Sequence, residues 1–141
     1  MDFGNHLEKR RSNGTNPSTT IVFFLTVGGR KNLRQIKRLI RAIYSRHHFY
    51  LIHVDSVSAR LARRYLISFR LAQREEYLYR ELKDLSKNIV NIQLTNQRYP
   101  TTWGASTLLT AHLQAFKQIF EELKWNFSFV LNLSESDFPL K

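Results

Sequence analysis

A few acidic and aromatic side chains stand among glycine, serine, threonine and proline, where loops begin. Asp55 follows Phe49-Tyr-Leu-Ile-His-Val54, Trp103 lies in Thr101-Thr-Trp-Gly104, and Glu135 and Asp137 share Ser134-Glu-Ser-Asp-Phe-Pro139. A carboxylate just after a strand accepts hydrogen bonds from a ribose hydroxyl or a base N–H, and it caps a following helix equally well. Trp103 offers a ring for stacking on a planar ligand, or is a core side chain. Glu135 and Asp137 are two apart, the spacing of an acid-x-acid chelate for a divalent ion. That spacing is common by chance, and Asp137 reads equally as an exposed turn acid. At Val27-Gly28-Gly29-Arg30 the glycines let a ligand approach the backbone, and the helix start behind them attracts anions. The plain alternative is a tight turn. The pattern is neither G-x-G-x-x-G nor G-x-x-x-x-G-K-[ST], so both phosphate-loop fingerprints are absent. His53, inside an apolar run, reads as a packed core histidine rather than a base.

These residues need elements to hold them. Residues 1–19 have the composition of a polar tail or linker. Ile21 to Val27 is a continuous β-branched and aromatic run, the pattern of a strand buried on both faces. From Asn32 to Arg46, Leu33, Ile36, Leu39, Ile40 and Ile43 make a helical stripe. Phe49 to Val54 is a second strand. Residues 58–83 carry helical spacing through Leu61, Tyr65, Phe69, Ala72 and Glu76, with a break expected near Gln73. Asn88 to Leu94 alternates as a third strand. Ala105 to Leu123 is a helix with Leu109, Leu113, Phe116, Phe120 and Leu123 on one stripe, and Phe127 to Leu133 is a fourth buried strand. Strand and helix alternate throughout, so the expectation is an α/β fold with right-handed crossovers and a parallel sheet. Ligands then bind beyond the carboxyl ends of the strands. All four chemistry-bearing loops lie at that edge.

The chain has 141 residues, 22 Lys plus Arg against 11 Asp plus Glu, a formal charge of +11 and no Cys. An apolar fraction of 43% is enough for a core, which excludes a wholly disordered chain. The absence of Cys excludes a disulfide scaffold, a zinc ribbon, an iron–sulfur site and thiol catalysis. No run approaches the ~18 apolar residues of a membrane span, and no export signal is visible. Seven Lys or Arg and no acid stand between Arg30 and Arg46. Such a stripe is a solvated face or a surface for a polyanion. A basic nucleic-acid-binding α/β domain is therefore one reading of the charge, although no aromatic interleaving, helix-turn-helix or zinc-finger signature supports it.

Ile52-His-Val-Asp55, Thr101-Thr-Trp-Gly-Ala-Ser106 and Asn132-Leu-Ser-Glu-Ser-Asp-Phe-Pro-Leu140 occur in this order, with Arg38-Leu-Ile-Arg-Ala-Ile-Tyr-Ser-Arg-His-His-Phe-Tyr50 linking the first two. Over about residues 20–141 the chain resembles the N-terminal part of a family 14 glycosyltransferase. That family holds peptide O-xylosyltransferases and branching β-1,6-N-acetylglucosaminyltransferases. The first two blocks look more like the xylosyltransferases. The resemblance implies a Rossmann-like glycosyltransferase A fold, of which residues 20–141 are the nucleotide-sugar-binding half. It implies transfer of xylose from UDP-xylose to Ser of proteoglycan core proteins, by inversion and without a metal, or alternatively N-acetylglucosamine transfer to glycans. Position by position, Val27, Asp55, Thr101, Thr102 and Trp103 match the family's UDP-sugar contacts, and Asp137 matches an acidic loop near sugar and acceptor.

By the same resemblance there is no cofactor, and partners are the UDP-sugar donor and an acceptor protein or glycan, not nucleic acid. The location implied is the Golgi membrane, through an N-terminal anchor that this chain does not show. The general base and the cations for the leaving diphosphate are expected beyond residue 141, so the chain is expected to be a fragment, inactive alone. A sheet cut after its fourth strand, with one face bare, supports that expectation. Gly28-Gly29-Arg30 stands where the xylosyltransferases have His-Gly-Arg, and Trp-Gly-Ala-Ser where they have Trp-Gly-Gly-Ala-Ser. Asn13, Asn126 and Asn132 fit the glycosylation sequon. Asn132 is expected to be buried in its strand and unmodified.

Overall fold

The computed structural model describes residues 19–28, 33–56, 66–101 and 105–139. The apolar run at the start forms β1, Ile21–Val27, at the centre of the sheet. Next come α1 (Leu33–Ile43), β2 (Phe49–Val54), α2 (Leu66–Asn88), β3 (Ile92–Leu94), α3 (Ser106–Lys117), a π-helical turn (Gln118–Leu123) and β4 (Phe129–Ser134). Among the described residues the sheet order is β3-β2-β1-β4, and every pairing is parallel. The expected α/β class and parallel sheet are found. The chain winds outward from β1 to β3, then returns to place β4 on the other side of β1. That reversal is the topological switch point at which such sheets open a crevice.

Alternation along β1 and β2 sends side chains to two cores. Leu25, Val27, Tyr50, Ile52 and Val54 meet Ile36, Leu39 and Ile40 of α1 and Leu78, Leu82 and Leu85 of α2 on one face. Val22, Phe24 and Leu51 meet Ala115 and Ile119 on the other. Helices thus cover both faces of the central strands, and apolar side chains are left bare only farther along the sheet, at Phe129 and Leu131.

The stripe on α1 is as expected: Ile36, Leu39 and Ile40 are buried, and Leu33 and Ile43 pack at the margin. Three other expectations need correction. Helix α2 runs unbroken past Gln73 to Asn88, because a uniform run of helix formers crosses that point. Its buried side is Leu78, Leu82 and Leu85, while Ala72 is half-buried and Glu76 exposed. Leu61 and Tyr65 lie outside the described residues. The third strand shrinks to Ile92–Leu94, since the helix takes Asn88 and residues 89–91 make a turn closed by the Ile92 N–H on Ile89 O at 3.0 Å.

Along α3 and the π-helical turn, Leu109, Leu113 and Phe120 of the expected stripe face outward, Phe116 and Leu123 pack at the margin of the core, and Ala111, Ala115, Gln118 and Ile119 face the sheet. Ala111 lies about 200° around the helix from Leu109 at 100° per residue. The sheet has therefore chosen the alanine side, whose small side chains admit close approach. Among the described residues, strand β4 pairs only with β1, and Phe129 and Leu131 on it are exposed. It is an edge strand rather than the expected buried one. Asn132 is exposed with it, its amide nitrogen 2.8 Å from Nε2 of His112.

Candidate functional site

The site lies at the carboxyl ends of β2, β1 and β4. Each strand delivers one residue just beyond its last ladder bond: Asp55 after β2, Gly28 after β1, Glu135 after β4. Asp55 is tied to β1 by its N–H, which donates to Val27 O at 2.9 Å, and Glu135 by its N–H to Thr26 O at 3.1 Å. The Gly28 N–H donates to Glu135 Oε2 at 2.6 Å. A Cβ at Gly28 would lie 3.2 Å from Asp55 Oδ2 and 3.7 Å from Glu135 Oε2. The glycine is thus what lets two carboxylates approach one backbone segment.

Asp55 Oδ1 accepts the Thr101 hydroxyl. Burial is the main cause that raises the Asp55 pKa above the ordinary carboxylate value. The Thr101 hydrogen bonds and the Arg98 charge oppose this, while Glu135 adds to it. The second oxygen, Oδ2, faces the Gly28 side.

His53, fully buried, stands behind Asp55. Its Nε2 accepts the Tyr99 N–H at 3.0 Å, so the proton of the neutral ring sits on Nδ1. Nδ1 is 3.9 Å from Asp55 Oδ1, too far for a hydrogen bond. Burial above all, then the charges of Arg98 and His112, pushes His53 down to about 4. The ring is therefore neutral at pH 7, and the pair is a polar contact rather than an ion pair. The core-histidine reading holds, with a bond to the neighbouring loop added.

Val27, Asp55 and Thr101 are brought together. Val27 is a core side chain whose carbonyl, not its side chain, reaches the site. Thr102 and Trp103 lie outside the described residues. Asp137 is not part of this cluster: its Oδ2 accepts the Ser134 N–H at 2.6 Å, and its own N–H donates to Ser134 O at 3.1 Å. It closes a turn and lines a neighbouring hollow of about 210 Å³ with Gln35, Arg38, Glu135 and Phe138. The carboxylates of Glu135 and Asp137 are thus turned to different backbone N–H groups. Among the described residues, no three His, Cys, Asp or Glu side chains group as a cation site. The basic stripe on α1 is partly engaged, with Lys37 3.5 Å from Glu81 and Arg38 over the Phe138 ring at 5.3 Å.

Sequence reasoning weighed Glu135 only as half of a chelate and missed its bond to Gly28. It also missed Arg98, whose neighbours in Gln97-Arg-Tyr-Pro-Thr101 were the available signal.

Comparison with known proteins shows the family to which this sequence is similar. Over 121 residues the chain is 42% identical to Xylosyltransferase oxt of Drosophila pseudoobscura pseudoobscura, covering 86% of this chain and 12% of that protein. It is 35% identical over 125 residues to Xylosyltransferase 2 of Mus musculus, covering 89% of this chain and 12% of the relative. It is 35% identical over 121 residues to Xylosyltransferase 1 of Homo sapiens, covering 86% and 11%. The chain thus spans about an eighth of the length of the curated relatives it matches. Residues 22–141 match the family model described as Core-2/I-Branching enzyme, so the chain belongs to that family.

Proposed function

We propose that this chain is the donor-nucleotide half of a glycosyltransferase that moves xylose from UDP-xylose to a Ser hydroxyl of a protein acceptor, with inversion. The observation that carries the reading is the Asp55, Gly28 and Glu135 cluster at the switch point of a parallel sheet, where α/β folds bind nucleotides. In this reading Asp55 accepts from the uridine, Thr101 orients it, and the backbone after Val27 lies against the nucleotide. By their match to the family's motif, Thr102 and Trp103 are further donor contacts, and Asp137 borders the sugar and acceptor. The proteins it resembles carry the name xylosyltransferase, which favours xylose as the sugar. The family description, Core-2/I-Branching enzyme, favours a second reading, N-acetylglucosamine transfer to a glycan. Metal independence is part of the proposal and is supported by the divergent engagement of Glu135 and Asp137. Such an enzyme belongs in the secretory pathway, in the Golgi membrane. No helix among the described residues is long and apolar enough to cross a membrane.

Isothermal titration of the chain with UDP, UDP-xylose and UDP-N-acetylglucosamine tests the reading. Saturable, uridine-specific binding is expected, weakened about tenfold by Asp55→Asn, the scale of one charge-assisted hydrogen bond. Preference between the two UDP-sugars separates the two readings. Tight DNA binding that collapses with salt, without UDP binding, overturns both.

A further inference from the structure

We propose that Arg98 is a positioning residue for Asp55: its guanidinium completes the sheet edge where β3 stops and so holds the nucleotide-binding carboxylate in place. This rests on the reading of Asp55 as a donor contact. Strand β3 ends at Leu94, and the Thr95 N–H to Ile52 O bond, at 2.9 Å, is the last ladder bond on that side of β2. Beyond it, the guanidinium takes over the role of a strand. Arg98 Nε donates to Val54 O at 3.1 Å, and Nη2 donates to Asp55 O at 2.7 Å. The remaining nitrogen, Nη1, donates to Glu76 Oε2 at 3.0 Å, and the guanidinium lies over the Tyr79 ring at 4.5 Å. One planar side chain thus joins the end of β2 to α2.

The loop around Arg98 is pinned to the same place at three further points. The Tyr99 N–H bonds His53 at 3.0 Å, the Ser56 N–H bonds Tyr99 O at 3.3 Å, and the Thr101 hydroxyl bonds Asp55 Oδ1. Arg98 is the charged member of this set, and its fork is what lets it hold two carbonyls and a carboxylate at once. Its charge also favours the ionised form of Asp55. A lysine carries the charge without the fork, so substitution separates the two contributions.

The test compares Arg98→Lys and Arg98→Met with the parent chain. UDP affinity is read by titration, the Asp55 carboxyl titration by carbon NMR, and Tyr99 amide exchange by proton NMR. Arg98→Lys is expected to weaken UDP binding about tenfold and to speed Tyr99 exchange relative to Phe24, with Asp55 titrating near its parent value. Arg98→Met is expected to do the same and to move the Asp55 titration upward. A merely structural strut would lower the melting temperature and leave Asp55 and UDP affinity unmoved once the protein is folded, and that result overturns the proposal. If the parent chain does not bind UDP, the donor reading fails, while the Asp55 and Tyr99 signals still decide whether Arg98 holds this edge. If Arg98→Met does not fold, Arg98→Lys and Tyr79→Leu supply the same NMR readouts, and unchanged signals in both overturn the proposal.

Discussion

Gly28 shows how a single missing atom shapes the site. Its backbone lies outside the left-handed region, so alanine can adopt its conformation, yet a Cβ would come within 3.2 Å of Asp55 Oδ2. That contact is tight, and its partner is the end of a movable side chain. Gly28→Ala is therefore expected to leave the melting temperature near its parent value, since about 0.4–1 kcal/mol of unfolded-chain entropy offsets the crowding. The displaced carboxylate should weaken UDP binding several-fold, roughly 1 kcal/mol. Scanning calorimetry beside titration checks both. An unchanged affinity would show that Asp55 does not need its present position. The carboxylates at Asp55 and Glu135 were visible in the sequence as acids at strand ends. Their meeting across Gly28 was not, since that bond spans 107 residues.

At the scale of elements, the π-helical turn after α3 has a definite task. It sets Gln118 and Ile119 against the sheet, where the Gln118 amide donates to Leu94 O at 3.1 Å and accepts the Asn96 N–H at 2.9 Å. These bonds finish β3 and launch the loop that carries Arg98 and Thr101. Gln118→Met keeps the volume and removes both hydrogen bonds, to the half-buried Leu94 carbonyl and to the Asn96 N–H. The expected cost is about 1–3 kcal/mol of stability, measured by urea unfolding, with faster Thr101 amide exchange. Full stability in that variant would contradict this account. Pattern alone misjudged α3 in part, since Leu109 and Leu113 belong to its more apolar side yet are exposed, while Phe116 packs at the core margin. The sheet instead receives Ala111 and Ala115, with the Phe24 ring edge-on to His112 at 5.3 Å beside them.

For the molecule as a whole, His53 makes stability depend on pH. Its folded pKa of about 4 lies below the ordinary value near 6.5, so the unfolded chain binds the proton first as pH falls. The contribution is complete above about 6.5 and is lost on descent through about 4, up to about 3 kcal/mol. Asp55 acts in the opposite sense: its pKa is raised on folding, so its ionisation costs stability that acid restores. Guanidinium unfolding at pH 7 and pH 4.5 should show the net loss in acid. His53→Gln, which keeps an acceptor for the Tyr99 N–H, should flatten it. An equal slope in the variant would assign the acid sensitivity to other groups.

The order of strands and helices, the parallel sheet and the edge at which its loops gather were determined by the sequence itself. Those features rest on local periodicity, which a short window of chain carries. The first two strands were legible to the residue for that reason, while the first helix ends at Ile43, three residues short of the expected Arg46. Tertiary structure decided what depends on distant partners. It chose the inward side of α3, since packing against a sheet rewards close approach over apolarity. It turned Asp137 back on its own turn and sent Glu135 to Gly28. It made Arg98 the continuation of a strand that ends too soon, because the open carbonyls beside it required a donor.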